Sequence, residues 1–187
     1  MKNLFNLFFL IGLFSSCVHD PCKKQPCNNG GTCSKGLCEC TEGWGGLDCS
    51  EEQTPSKMYI TKIVLLHYTG SKPGGLSWDS LDAADIYLYF IKNGFGGPIY
   101  TSQTIQNANS NISYEFIPSN PVKIDKPLDN YIINLWDNDG GWPKDELIAS
   151  GSFVPYIKGE KFPKKVFKEL SWGQMTAKVE IYYDYEW

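Results

Sequence analysis

Three carboxylates in one short stretch, Asp137, Asp139 and Asp145, follow the spacing D-x-D-x5-D in the run Asp137-Asn138-Asp139-Gly140-Gly141-Trp142-Pro143-Lys144-Asp145. Carboxylates crowded together repel unless something positive lies between them. A hard divalent cation that takes many oxygen ligands suits an all-carboxylate set, with calcium the first candidate. A second acidic stretch, Trp78 to Asp85, carries Asp79, Asp82 and Asp85. Each stretch adjoins a strand-like segment: Tyr131–Trp136 precedes the first and Ile86–Phe90 follows the second, both rich in β-branched and aromatic residues and free of breakers. Side chains two apart on a strand share a face, so an extended chain delivers Asp137 and Asp139 to the same side. Gly140, Gly141 and Pro143 then turn the chain back and return Asp145 to them. One D-x-D alone is usually a solvated turn. Two acidic loops of matched spacing, each against a strand, point to a metal.

A D-x5-D loop leading into a strand, paired with D-x-D-x5-D at the end of a later strand, resembles the C2 domain. The resemblance implies a calcium site built from Asp79, Asp85, Asp137, Asp139 and Asp145, with Asp82 outside the set. Glu146-Leu147-Ile148 also matches the acidic-apolar-isoleucine run that follows the family's last aspartate. The chain departs from the pattern in having Ala84-Asp85-Ile86-Tyr87 where the family has Ser-Asp-Pro-Tyr, and Trp142 where some members place a serine ligand. Both departures spare the carboxylates and leave the number of ions open. Trp78, Leu81 and Trp142 lie within the acidic loops. They serve either as tips that enter a bilayer or stack on a ligand, or as packing against the sandwich edge.

The chain starts with a short basic segment, Met1-Lys2-Asn3, and an apolar run from Leu4 to Phe14. That run is too short to span a bilayer core of about 30 Å, which needs roughly 20 helical residues, and it matches a secretory signal. Its end, Phe14-Ser15-Ser16-Cys17, resembles a bacterial lipoprotein signal, in which the cysteine is lipidated and becomes the mature N-terminus; the family usually has leucine at the position of Phe14. The alternative is an ordinary secretory signal that leaves Cys17 as a stray thiol. Residues 1–17 are thus read as signal and anchor, which implies export and attachment to an outer membrane or cell surface.

The chain has seven cysteines, an odd number that itself needs a reason. Cys22, Cys27, Cys33, Cys38, Cys40 and Cys49 are separated by 4, 5, 4, 1 and 8 residues, with Gly43-Trp44-Gly45-Gly46 in the last gap. That spacing resembles an epidermal-growth-factor-like (EGF-like) module of the tenascin type. The resemblance implies the pairs Cys22–Cys33, Cys27–Cys38 and Cys40–Cys49, which leaves Cys17 over, as lipidation requires. Residues 20–51 are too few to build a sufficient core, so disulfides must hold the module and the compartment must be oxidising. Val18-His19-Asp20-Pro21 lacks the acidic run of calcium-binding EGF-like members, and the cysteine gaps do not fit a zinc site. The module is either a protein-recognition unit or a stalk.

Residues 52–57 are polar with one proline and read as a linker. Residues 58–187 contain no cysteine and suit one domain. Strand signals recur at Tyr59–Tyr68, Ile86–Ile91, Pro98–Ile105, Ile112–Ile117, Tyr131–Trp136, Leu147–Val154 and Ala177–Tyr183, with Lys161–Leu170 readable as a short helix or a strand. The expected fold is mainly β: a disulfide-rich EGF-like module followed by an antiparallel β-sandwich. One strand before the Asp79 loop and one at the chain's end resemble the circularly permuted type II order of C2 domains. The basic run Lys158, Lys161, Lys164, Lys165 and Lys168 reads first as a solvated face and second as an attractor of anionic headgroups or glycans. All 17 basic residues are lysine and the formal net charge is −4, so nucleic acid is not the expected partner. No nucleophile elbow, zinc-protease helix or phosphate loop appears, and the expected function is binding rather than catalysis. The partner expected at the acidic loops is an anionic lipid, a glycan or a surface protein. The alternative is a structural envelope lipoprotein in which calcium only rigidifies the domain.

Overall fold

The computed structural model describes residues 21–24, 26–79, 82–93, 96–140 and 144–187. Cys17 with the whole signal segment, Leu81 and Trp142 lie outside these residues. No helix among the described residues is long and apolar enough to cross a membrane.

The N-terminal module is tied by Cys22–Cys33, Cys27–Cys38 and Cys40–Cys49, the pairing that the EGF-like resemblance implies. A 3-10 turn, Pro21–Lys24, precedes two small hairpins. The first pairs β1 (Thr32–Ser34) with β2 (Leu37–Glu39), turning at Lys35-Gly36 with both residues at positive φ. The second pairs β3 (Trp44–Gly45) with β4 (Glu51–Glu52). Among its described residues almost nothing apolar is buried except Cys49. The cystines are the core, as the module's size requires.

The rest of the chain is a two-sheet antiparallel sandwich. Its strands are β5 (Lys57–Tyr68), β6 (Ile86–Lys92), β7 (Tyr100–Thr101), β8 (Tyr114–Phe116), β9 (Val122–Ile124), β10 (Tyr131–Asp137), β11 (Glu146–Phe153), β12 (Lys165–Trp172) and β13 (Met175–Glu186). One sheet has the order β11-β10-β6-β7; the other has β12-β13-β5-β8, with β9 also pairing β5. The last strand lies beside the first of the sandwich, as the type II-like order implies. The core between the sheets comes from alternate residues: Ile60, Ile63 and Leu65 of β5, Ile86, Leu88 and Phe90 of β6, Ile133 and Leu135 of β10, and Ala177, Val179 and Ile181 of β13, all fully buried. Period-two burial is what alternating apolar residues enforce when one face of a strand meets the core and the other meets water.

Three sequence expectations change. The ambiguous stretch at Lys161–Leu170 is strand from Lys165, and the piece expected at Pro98–Ile105 is reduced to two paired residues and a bridge from Ile105 to Ile86. Val122–Ile124, bracketed by Pro121 and Asp125, is a strand too short to signal itself. Part of the lysine run is ion-paired, Lys165 with Glu180 at 2.7 Å and Lys164 with Asp184 at 3.6 Å, which is how a solvated face behaves.

The segment at residues 52–57 is not a free tether. Glu52 accepts hydrogen bonds from Gly159 N at 2.8 Å and Tyr156 Oη at 3.0 Å, Gln53 N donates to Gly43 O at 2.8 Å, and Ser56 N donates to Glu186 O at 2.8 Å. Its polar residues are taken up by backbone and side-chain partners of both units, a use that composition does not reveal.

Candidate metal centre

The acidic loops lie at one end of the sandwich. Asp137 ends β10 opposite Ile86, the first residue of β6, so the β5–β6 and β10–β11 connections emerge side by side. Along β10 the burial alternates without a break from Tyr131 to Asp137, and the last inward position, where the pattern calls for an apolar residue, is Asp137. Its carboxylate is therefore delivered into the protein edge by the same periodicity that buries Ile133 and Leu135. A register shift between Leu135 and Trp136 in the pairing with β11 falls beside it, the kind of irregularity that re-aims a strand end at a site.

Asp79, Asp137 and Asp139 form a cluster in which one oxygen from each lies within 4.8 Å of the others. Asp137 has no exposed surface. Its Oδ1 accepts the Asp85 backbone N–H at 2.7 Å, while its Oδ2 is buried without a hydrogen-bond partner. It is the only carboxylate oxygen among the buried side-chain atoms left so among the described residues. Burial, with the Asp79 and Asp139 charges adding to it, pushes the Asp137 carboxyl up to about 6 against the opposing Asp85 hydrogen bond. Burial and the neighbouring Asp139 also raise Asp79. Leaving an acceptor of this strength dry is costly, and three like charges in one place add to that cost.

The other two expected ligands are placed differently. Asp85 Oδ1 accepts the Asn107 backbone N–H at 2.8 Å, and its backbone carbonyl accepts from Asn138 N at 2.8 Å. Asp145 Oδ2 accepts the Tyr87 hydroxyl at 2.8 Å, and its Oδ1 accepts the Asp139 N–H at 3.1 Å. Neither belongs to the three-carboxylate cluster. Both carry hydrogen bonds that tie the acidic end together, Asp85 to the loop at Asn107 and Asp145 to Tyr87 on β6. Asn138 adds a bond from its Nδ2 to Thr104 Oγ1 at 3.0 Å. Spacing alone could not show these hydrogen bonds, because the partners, Asn107, Thr104 and Tyr87, are remote in sequence or carry no signal of their own.

Trp78 is not a protruding tip. It is 5% exposed, sits in the core, and donates its indole N–H to Thr69 O at 3.0 Å. Lys72 lies 5.6 Å from the Trp78 ring and is ion-paired with Glu146 at the start of β11, which fastens the loop before β6 to β11. Among the described residues, Leu76, Ile112 and Trp172 carry apolar exposure at this end.

The cluster fits calcium. Oxygens held 2.3–2.6 Å from one ion lie up to about 5 Å apart, the separation the three carboxylates already have, and the Asp137 Oδ2, buried without a proton donor, could serve as a ligand atom. Asp79, Asp137 and Asp139 would hold the ion.

Tyr87→Phe tests the bracing. It is expected to lower stability by about 1.5 kcal/mol, the low end for one hydrogen bond to a charged acceptor, and to weaken calcium binding several-fold by loosening Asp145 and, through it, Asp139. Thermal unfolding and calorimetry read the two effects; calcium affinity equal to the wild type would rule out the bracing role.

No protein-family model matches the sequence, and no curated protein is significantly similar to it. Among solved structures the chain is similar to a C2 domain at 11% identity and a TM-score of 0.44, covering 68% of this chain and 97% of that one. It is also similar to a C2 domain of plant extended synaptotagmin 1, at 14% identity and a TM-score of 0.41, covering 71% and 98%. With human GIVD cytosolic phospholipase A2 the figures are 16% and 0.42, and the match covers 71% of this chain but only 17% of the enzyme. These are likenesses of backbone at low identity, and no function follows from them.

Proposed function

We propose that the sandwich is a calcium-binding module of an exported, lipid-anchored envelope protein, and that its acidic end engages an anionic partner only when calcium is bound. The observation that carries this reading is the fully buried Asp137, whose Oδ2 has no hydrogen-bond partner inside a three-carboxylate cluster. One calcium ion would cancel two of the three charges of Asp79, Asp137 and Asp139, and a second would leave the rim positive. Exposed Leu76, Ile112 and Trp172 beside it favour a partner with an apolar layer beneath charged groups, which is the make-up of a membrane surface. Cys17 would supply the anchor. A binding role is preferred to catalysis because crowding three carboxylates at one point suits a cation better than acid–base work.

The alternative, calcium as a purely structural ion, is favoured by the bracing of Asp85 and Asp145, which rigidifies both loops. The two readings differ in whether any partner requires calcium.

Titration calorimetry on the chain from Val18 onward, beside the Asp137→Asn, Asp139→Asn double variant, tests the metal. Saturable binding that the double variant loses is the expected result, while Asp82→Asn should bind as the wild type does. Binding equal in the wild type and the double variant, or none at millimolar calcium, would refute it. Sedimentation with anionic vesicles, with and without calcium, then separates the engaged module from the structural one.

A further inference from the structure

Both units of the chain meet at the end of the sandwich opposite the acidic cluster. β5 begins at Lys57 beside Glu186 of β13 and finishes at Tyr68 beside Ala177. The acidic loops emerge at the Tyr68 end, while the N-terminal module sits at the Lys57 end. A strand of 12 residues, the length of β5, spans about 40 Å at roughly 3.3 Å per residue.

The junction is an aromatic clamp around Phe162. Its ring lies 5.7 Å from Trp44 of the module, 6.0 Å from Tyr156, 5.8 Å from Tyr185 and 4.6 Å from Trp187. Lys161 and Phe162 both have positive φ, at 55° and 57°, a conformation that costs a non-glycine residue of the order of 1 kcal/mol or more. The ring contacts are what that backbone cost secures. On the module side Gly43 has φ +85°, and a Cβ there would come within 2.6 Å of Phe162 and 2.8 Å of Trp187, so only glycine fits. The hydrogen bonds of Glu52, Gln53 and Ser56 close the same joint. A joint held by packed rings and by the hydrogen bonds of Glu52, Gln53 and Ser56 has little freedom to bend.

We infer that the module and the sandwich are one rigid strut that holds the acidic loops away from the chain's N-terminal attachment, so that they reach an apposed anionic membrane and not the surface carrying the chain. The membrane part of this rests on the calcium reading above; the geometry does not. Bending at the joint cannot bring the far end back without breaking the clamp.

The test attaches the chain from Val18 onward by an N-terminal histidine tag to vesicles with nickel-chelating lipids and an acceptor dye. A donor dye is placed at Lys144→Cys, beside the acidic cluster, or at Lys126→Cys, at the opposite end. Energy transfer to the bilayer is expected to be several-fold weaker from position 144 than from 126, and the Trp44→Ala, Phe162→Ala variant is expected to erase the difference. Adding calcium and separate anionic vesicles should cluster the two populations, reversibly with chelator. Equal transfer from both positions in the intact chain, or calcium-dependent collapse of position 144 onto its own vesicle, would overturn the inference. If the distances hold but the untethered chain binds neither calcium nor anionic vesicles, the calcium reading fails and the strut stands.

Discussion

Replacing Asp137 with asparagine is expected to abolish stabilisation by calcium while making the metal-free protein more stable than the wild type. The two effects have one origin. Asp137 has no exposed surface, and burial beside Asp79 and Asp139 lifts its carboxyl from 3.8 to about 6. The folded state therefore holds this proton to a higher pH than the unfolded chain does. Between about pH 4 and 6 the unfolded state releases it first, so this contribution to stability falls as pH rises and is wholly lost by pH 7. Asparagine keeps the oxygen that accepts from Asp85 N–H and replaces the partnerless Oδ2 with an amide that can donate to Asp79 or Asp139. The gain without metal should be on the order of 2 kcal/mol at pH 7 and vanish near pH 4. The wild type, in contrast, gains about 2.7 kcal/mol at calcium a hundredfold above Kd, and the variant should gain little. Denaturant unfolding in chelator and in calcium, at pH 4 and pH 7, gives all four values. A variant less stable than the wild type in chelator at pH 7 would mean that Oδ2 has a partner other than a cation.

Reduction of the disulfides is expected to unravel the N-terminal module and leave calcium binding unchanged. The module's three bridges close loops of 11, 11 and 9 residues, and Cys49 is the only fully buried apolar residue among its described residues. Removing native bridges from so small a unit costs about 2–5 kcal/mol each, more than a module without another core can lose. The sandwich holds no cysteine and has its own core between two sheets. Under reductant, backbone amides of residues 27–49 should lose exchange protection and proteases should cut near residues 52–57. β5, β10 and β13 should remain protected. Loss of calcium binding on reduction would show that the acidic end depends on the clamp at the far end.

The parts readable in the sequence were those with a dense local code. The cysteine spacing carried the bridge pattern through its resemblance to EGF-like modules, and period-two apolarity carried β6, β10 and β13. The acidic loops were legible as a pair, and Asp79, Asp137 and Asp139 do converge. What was not legible depends on long-range partners. Trp78 looks like an exposed tip until Thr69 O and the core claim it. That Asp85 accepts from Asn107 and Asp145 from Tyr87 has no signal in the spacing of the aspartates. Residues 52–57 look like a tether because the residues that hold them, Tyr156, Gly159 and Glu186, come more than a hundred positions later.

The peptide of Asp85 faces both ways across the acidic end: its N–H donates to Asp137 Oδ1, and its carbonyl accepts from Asn138 N. One residue of the first loop is thereby spliced into two consecutive residues of the second. Drawing Asp137 toward an ion pulls on the same peptide that Asn138 holds, so neither loop can order while the other stays loose. If the acidic end takes calcium as proposed, its occupancy should be a concerted event, with both loops responding at one calcium concentration.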